Sequence, residues 1–216
     1  MAITTGIYTV YARKQWKVID DQLYRMGEAN EMTRQIQYAF VDIPQEIRIR
    51  RTVEKGRVTF WTPEITMINN GSTGTYNTFE VVNVYASDKE MPKDFDYPET
   101  GKWQNSDLGP HEKECFDAPQ IDIAAIQSIQ KGVHIYIYGL AIYWNIFQFQ
   151  AKPDAKATYR KHLREFCYEL RLDSLTRDIT SPKYEPSVRM LLYGPHNCTD
   201  EDCPDHKEKM KFAWGP

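Results

Sequence analysis

The chain has 216 residues, and its 41% hydrophobic and 13% aromatic content is enough for a packed core, which excludes a disordered protein. Its formal net charge of −3 gives no basis for binding nucleic acid, which usually needs a clustered basic face. The four cysteines are too few and too unevenly spaced for the disulfide framework of a chain of this length.

The chain begins with a short uncharged stretch, Ile3 to Ala12, beside aromatic residues and a basic cluster. The aromatic residues are Tyr8, Tyr11 and Trp16, and the basic residues are Arg13, Lys14 and Lys17. This pattern is typical of the end of a membrane helix, although the stretch is far shorter than the ~20 apolar residues that span a bilayer. Two interpretations stay open. One is a membrane segment that continues upstream of Met1, with the following residues on the cytoplasmic side, and the other is a frayed or interfacial helix start.

A helix of several turns is predicted between Tyr8 and Phe40, because this segment contains no proline and its apolar residues recur every three or four positions. These apolar residues are Trp16, Ile19, Leu23 and Met26. The seam becomes polar in its second half, and Pro44 ends the helix. The pattern allows a short coiled-coil contact with weak self-association, or a stalk that lies partly on the following domain.

Four segments after this helix have the composition of β-strands. They are Glu46 to Val53, Arg57 to Ile68, Thr75 to Ala86 and Ser187 to Tyr193. Pro63 predicts an edge strand or a bulge in the second segment, and Ile121 to Ile129 fits either a strand or a short helix. The arginines of the first segment are predicted to form a solvated face rather than an anion site, and they are Arg48, Arg50 and Arg51.

The most apolar run, Val133 to Phe149, is predicted to form the centre of the β core, since both of its alternating faces are apolar. The run is too short for a membrane helix and contains His134, Asn145 and Gln148. Strands usually have ~3 to 10 residues. Gly139 is therefore the candidate for a bend or bulge that divides the run.

The most metal-like cluster lies near the C-terminus and contains His196, Cys198, Cys203 and His206. Three interpretations stay open, namely a zinc site, a local disulfide and a polar tail with free thiols. The third is favoured, because the ligands of structural zinc sites usually come from separated parts of a chain. The neighbouring acidic residues would also raise the pKa of the thiols.

No residue is assigned a catalytic, cofactor-binding or metal-binding role, and the chain is predicted not to be an enzyme. His162 and Cys167 do not predict a nucleophile pair, because the sequence supplies no third group to orient the histidine. The turn-rich excursion from Ser87 to Ala118 has neither a phosphate-binding glycine pattern nor paired carboxylates in an apolar setting.

Several short motifs occur along the chain in a fixed order, and they are Trp16; Asn69, Gly71 and Thr73; Leu108-Gly109-Pro110; Gly139, Tyr143 and Phe147; and His162 with Phe166-Cys167-Tyr168. In this order they resemble a group of uncharacterised bacterial membrane-anchored proteins with an N-terminal helix and one immunoglobulin-like β-sandwich domain. The chain departs from the group at Gly74 and Thr75, where the group has Pro-Ala, and at Asn145, where it has Asp. The resemblance implies a fold and an anchor but no reaction, and it favours a strand over a helix for Phe166 to Leu170.

We therefore predict a mainly β protein, an immunoglobulin-like sandwich of about seven or eight strands preceded by one long N-terminal α-helix. Residues 1–41 form the helix, with the end of a membrane segment and a stalk; residues 42–194 form the sandwich; and residues 195–216 form a polar, flexible tail. The predicted function is a non-enzymatic accessory or interaction domain, presented to an unknown protein partner on a stalk at a bacterial membrane. The alternative is a module that binds a small ligand or carbohydrate on the rings of Phe95, Tyr97 and Trp103.

Overall fold

The computed structural model describes residues 14–29, 39–45, 47–92, 95, 103–145, 161–173, 178–183, 187–203 and 205–209. The chain divides into two compact units, Met1–Tyr38 and Ala39–Pro216. In the first unit, residues 14–29 form helix α1, which confirms the predicted N-terminal helix. Its apolar seam is exposed, with 67% of Trp16, 60% of Leu23 and 61% of Met26 accessible to solvent.

The predicted membrane-like stretch, Ile3 to Ala12, lies outside the described residues. Within the part of the chain that the structure describes, every helix is too short or too polar to cross a membrane. The coiled-coil contact and the stalk stay predictions, since the polar half of the predicted helix also lies mostly outside the described residues.

The second unit contains two antiparallel sheets, each with five strands among the described residues. Sheet A is built on β3 (Arg57–Asn69), which pairs with β1 (Val41–Asp42) and β2 (Ile47–Glu54) along one side and with β6 (Lys113–Asp117) and β7 (Ile121–Asp122) along the other. Sheet B has the strand order β10 (Val188–Leu192), β9 (Lys161–Leu172), β8 (His134–Asn145), β4 (Thr75–Ser87) and β5 (Gln104–Ser106). The chain is therefore mainly β, as predicted.

Short helices connect and follow these strands. Helix α2 (Ile123–Ser128) begins directly after β7 and continues into a 3₁₀ turn, Ile129–Lys131. Asp122 caps α2, because its side chain accepts a hydrogen bond from the backbone N–H of Ala124. The ambiguous segment from Ile121 thus starts as a strand and becomes a helix. A 3₁₀ turn (Asp200–Asp202) and helix α3 (His206–Lys209) lie near the C-terminus.

The two sheets pack on one hydrophobic core. Sheet A contributes Trp61, Ile65 and Met67, and sheet B contributes residues of β8 such as Ile135 and Ile137. The prediction that the apolar run forms the core centre is confirmed for β8, which lies in the middle of sheet B and is buried on both faces. Because both faces of β8 are buried, other residues must cover the outer face of sheet B, which points away from sheet A.

The C-terminal segment, residues 193–203 and 205–209, provides part of that cover. Cys198 and Cys203 pack against Leu140 and Leu163 on the outer face of sheet B. Lys209 is only 5% exposed. We predicted a flexible tail from residue 195, whereas the structure places these side chains in buried positions. Residues 210–216 lie outside the described part of the chain.

The predicted edge position of Pro63 is wrong, because β3 pairs on both sides. The alternative, a bulge at Pro63, is also wrong, because the register shift between β2 and β3 lies at Thr52 and Val53, opposite Phe60 and Val58. Pro63 lies opposite Ile49 of β2, and on its other side it falls in the gap between β6 and β7. Its carbonyl faces that gap, where it accepts a hydrogen bond from the backbone N–H of Ala118. The missing N–H of the proline therefore removes no bond from either ladder.

The predicted bend or bulge at Gly139 is also wrong, because β8 continues through this residue without a register shift. A Cβ atom added to Gly139 would overlap the carbonyl oxygen of Val81 and would lie 2.8 Å from Cζ of Phe166. Glycine is required here because a neighbouring backbone and an aromatic ring approach it closely. The register shift of sheet B lies instead in β4, between Tyr76 and Phe79.

Candidate functional site

A groove lies beside the free edges of the two sheets, at β2 and β10, and extends over residues of β3 and β6 in sheet A. Within the described residues β2 pairs only with β3 and β10 only with β9, so the second edge of each strand has no strand partner there. Two cavities of about 780 and 620 Å³ open along these strands and share Ile47, Arg48 and Val188. We call the continuous space the edge groove, and it is lined by Gln45, residues 47–51, Glu64, Thr66, Lys113, Cys115 and residues 188–191.

Part of the lining of the edge groove is apolar. Met190 belongs to the core shared by the two sheets, and Ile47 and Val188 pack against that core. Along β2, Ile47 and Ile49 contact the core, whereas Arg48 between them is exposed. The alternation predicted for this strand is thereby confirmed, and it leaves one side of the groove apolar and the other charged.

The edge groove carries more positive than negative charge. Its basic residues are Arg48, Arg50, Arg51, Lys113 and Arg189, and its acidic residue is Glu64. Two of these arginines are compensated: the Arg50 guanidinium lies 3.2 Å from Glu64 Oε1 and also binds Asp117, and Arg189 binds Asp173. Arg48 and Lys113 form no ion pair with an acidic residue among those that the structure describes; Arg48 lies opposite Glu64 in the register of β2 and β3, but Glu64 binds Arg50. The groove is thus positive in a chain whose net charge is −3.

The sequence indicated one side of this groove and missed the other. The arginines predicted to form a solvated face lie along the groove, with Arg48 and Arg50 exposed and Arg51 half-buried. The second side comes from β10, far along the chain, and no motif links it to β2. Only the tertiary packing of Ile47 and Val188 on the same core brings the two strands together.

A second polar site lies on the outer face of sheet B, beneath the C-terminal segment. Glu165 is fully buried there and lies 2.8 Å from Lys209 Nζ and 2.9 Å from His196 Nδ1. Cys198 and Cys203 form a disulfide beside it. Of the three interpretations that the sequence left open for this cluster, the structure contains the disulfide, so the favoured one, a polar tail with free thiols, is wrong.

His162 and Cys167 lie on opposite faces of β9 and do not form a nucleophile pair. The His162 ring stacks on Tyr143, and its Nδ1 lies 2.9 Å from Asp200 Oδ2. Cys167 is buried on the outer face with Tyr136. His162 therefore connects β9 to the C-terminal segment, and Cys167 fills space beneath the covering residues.

The predicted aromatic platform does not form from the two described rings. Phe95 packs with Tyr85 and Tyr138, at ring-centroid distances of 5.6 and 5.5 Å. Trp103 packs with a different cluster, which contains Leu140. Tyr97 lies outside the described residues. Phe95 and Trp103 are both half-buried and serve to cover sheet B.

A buried carboxyl that the sequence did not single out lies on β4. Glu80 is 2% exposed, and in the described part of the chain neither carboxyl oxygen has a hydrogen-bond partner. Burial, and secondarily the charge of Glu114, raises the pKa of Glu80 to about 8. The carboxyl is therefore mostly protonated at neutral pH. It does not line the edge groove.

No protein-family model matches the chain, and no similar chain was found among curated proteins or solved structures. The resemblance of the sequence motifs to a bacterial membrane-anchored group therefore stays a prediction. The edge groove and the cluster around Glu165 are interpreted from their own geometry and charge.

Proposed function

We propose that the chain is a non-enzymatic interaction domain, and that it binds an extended acidic segment of a partner protein in the edge groove. The observation that carries this proposal is the juxtaposition of two open strand edges with Arg48 and Lys113, which form no ion pair among the described residues. A peptide that lies along an open strand gains backbone hydrogen bonds, and side-chain pockets provide specificity.

The alternation along β2 defines the chemistry of the segment that fits. Ile47 and Ile49 face the core, and Arg48 and Arg50 face the solvent. An added strand would present side chains to the same two sides with a period of two residues. Apolar residues would then meet the isoleucine side, and acidic residues would meet the arginine side, where each opposite-charge pair contributes roughly 0.2–1 kcal/mol. The preferred ligand therefore alternates apolar and acidic residues.

Charge on an edge strand also has a purely protective role, since it discourages pairing between sheets. A protective edge and a binding edge differ in one measurable respect. A protective edge would not bind an acidic peptide. A binding edge would bind the acidic peptide and would bind a basic peptide of the same pattern more weakly. Complementary charge across an interface favours the right partner and disfavours wrong ones.

The test uses two fluorescein-labelled peptides of eight residues, the length of β2. One alternates Val and Glu, the other alternates Val and Lys, and binding is measured by fluorescence anisotropy. The acidic peptide should bind, and the double substitution Arg48→Glu with Lys113→Glu should weaken it about tenfold or more. The matched control reverses two exposed lysines outside the groove, Lys89→Glu with Lys131→Glu, and should leave the affinity nearly unchanged. Failure of the acidic peptide to bind, or equal binding of both peptides, would overturn the proposal.

We further propose that the two-sheet unit is an immunoglobulin-like sandwich, tethered through α1 to a bacterial membrane with the domain on the cytoplasmic side. Support comes from the ordered sequence motifs, from the shared core of the two sheets and from the exposed apolar seam of α1. The tether is tested by reading the coding sequence upstream of Met1. About 15 or more further apolar residues in frame are expected, and a stop codon directly before Met1 would refute the tether.

A further inference from the structure

Three side chains of metal-binding type meet beneath the C-terminal segment. One carboxylate oxygen of Glu165 and the sulfur atoms of Cys198 and Cys203 all lie within 4.8 Å of one another. All three residues are buried, and Glu165 is 0% exposed. Glu165 comes from β9, whereas the cysteines come from the C-terminal segment. The fold therefore brings together ligands from separated parts of the chain, as structural zinc sites usually do.

The spacing of these atoms suits a tetrahedral ion. Zinc binds thiolate sulfur at ~2.3 Å and carboxylate oxygen at ~2.0–2.2 Å, so two ligand atoms on one zinc ion lie roughly 3.5–3.8 Å apart. The three atoms found here are already within 4.8 Å of one another, so only small side-chain movements separate the present arrangement from a metal-bound one.

The charges around the site would also balance. Lys209 Nζ lies 2.8 Å from Glu165 Oε1, so the carboxylate has a buried cation beside it. With the disulfide formed, the ammonium and the carboxylate cancel. A zinc ion bound to two thiolates adds no net charge, so the site with Glu165 and Lys209 stays neutral. This matters because an uncompensated charge in a buried site is strongly destabilising.

The His196 ring contacts one of these ligands, and His206 lies three residues after Cys203 in the chain. His196 Nδ1 is 2.9 Å from Glu165 Oε2, so His196 orients the carboxylate and is a positioning residue. The backbone N–H of His206 donates to the carbonyl of Cys203 at 3.3 Å. The His206 Nε2 atom is buried and has no hydrogen-bond partner in the part of the chain that the structure describes. Among the described residues, however, the ring nitrogens of His206 do not join the ligand atoms that lie within 4.8 Å of one another, so His206 is not assigned as a ligand.

We propose that the reduced protein binds one zinc ion through Cys198, Cys203 and Glu165. The disulfide and the zinc ion are alternative ways to close the same site. A dithiol reductant supplies two electrons and two protons, breaks the sulfur–sulfur bond and is itself oxidised to a disulfide. Zinc then binds the two thiols and releases their two protons to solvent. This inference is independent of ligand binding in the edge groove.

In the test, the reduced 216-residue chain is freed of reductant in the absence of oxygen and titrated first with Co²⁺ and then with Zn²⁺. We expect thiolate-to-cobalt charge-transfer absorption that saturates at one equivalent, displacement by zinc, and a higher unfolding temperature of the reduced protein with zinc. Cys198→Ser with Cys203→Ser should abolish the absorption. Glu165→Gln should weaken zinc binding by at least about tenfold.

The matched control removes the other two thiols, with Cys115→Ser and Cys167→Ala, and should retain one equivalent of bound metal. The substitution Lys207→Ala, at an exposed residue of α3, should likewise leave metal binding unchanged. Circular dichroism of each metal-free variant reports whether it folds. If Glu165→Gln does not fold, the comparison of the two double cysteine variants decides the result. The proposal is overturned if the reduced wild-type protein shows no thiolate–cobalt absorption, or if the absorption survives loss of Cys198 and Cys203.

Discussion

The edge groove and the site around Glu165 both contain charged side chains, but one is open and the other is covered. In the groove, Arg48 and Lys113 are exposed and form no ion pair among the described residues. In the covered site, Glu165 is fully buried and contacts both Lys209 and His196. The segment that covers the second site therefore determines the difference, rather than the residue types themselves.

Because of this difference, we expect the open groove to contribute to ligand binding and the covered site to contribute to stability. A charge in water needs no partner, and pairs at an exposed surface contribute only about 0–1 kcal/mol to stability. A buried charge must be compensated, and removing one member of a buried pair costs about 3–5 kcal/mol. Substitutions in the groove should thus alter ligand binding and leave the fold intact, whereas substitutions beneath the C-terminal segment should destabilise the fold.

The largest effect is expected for Lys209→Met, which leaves the buried carboxylate of Glu165 without its ammonium partner. The free energy of unfolding should fall by about 3–5 kcal/mol, as measured by chemical denaturation. Lys207→Met is the matched control, since Lys207 is exposed on the same short helix, and its effect should stay within about 0.5 kcal/mol. Equal effects of the two substitutions would mean that the covered site does not behave as a buried ion pair.

Glu80 extends the comparison to a covered carboxyl without a hydrogen-bond partner in the described part of the chain. Its pKa is about 8 in the folded protein against an ordinary value of 4.5, so the folded state binds more protons between these pH values. The contribution of Glu80 to stability therefore falls as the pH rises from about 4.5 to about 8. Glu80→Gln cannot ionise and should remove this dependence, with a relative gain on the order of a few kcal/mol above pH 8.

The measurement is a series of urea denaturation curves of both proteins between pH 5 and pH 9. The stability difference between Glu80→Gln and the wild-type protein should increase with pH. A constant difference over this range would show that the carboxyl of Glu80 is solvated in the folded protein.

Gly139→Ala measures how tightly the covered sheet is packed. The added Cβ would collide with Val81 and Phe166, and overpacking of this kind typically costs about 1–3 kcal/mol. Gly27→Ala is the contrasting control, because the new Cβ has no atom within 4 Å apart from its chain neighbours and the backbone of its own helix, and alanine favours a helix by up to about 1 kcal/mol. Thermal denaturation should show a lower unfolding temperature for Gly139→Ala and no decrease for Gly27→Ala.

The smallest effect on stability is expected in the groove. Arg48→Glu with Lys113→Glu should change the free energy of unfolding by no more than about 0.5 kcal/mol, because both side chains are exposed. The same variant should bind the acidic peptide weakly. A large loss of stability would show that these residues support the fold, and it would remove the distinction between the two regions.

The sequence predicted those parts of the fold that local patterns determine. The alternation of isoleucine and arginine located β2, and the apolar run located β8 at the centre of a sheet. The patterns could not show what covers a strand or lies beside it. The role of Gly139 depends on the ring of Phe166, and the position of Pro63 depends on a gap between two other strands.

The candidate sites were less predictable for the same reason. The cysteine-bearing cluster appeared in the sequence as a polar tail, because the partner that buries it, Glu165, lies on a separate strand. The edge groove requires Ile47 and Val188 to pack on one core, and the two residues are distant in the chain. In the sequence, Glu80 is an ordinary polar residue of a strand. Its burial results from the packing of the two sheets, which the sequence pattern does not show.

Hydrogen exchange with and without the acidic Val–Glu peptide tests the central claim most directly, because it reports which backbone amides become protected. We predict slower exchange on peptide binding for amides of β2 or β10, whose outer edges have no strand partner among the described residues. Amides of β9, which is paired on both sides, should not change. Unchanged exchange in both β2 and β10 with the peptide bound would contradict the proposal that the edge groove is the binding site.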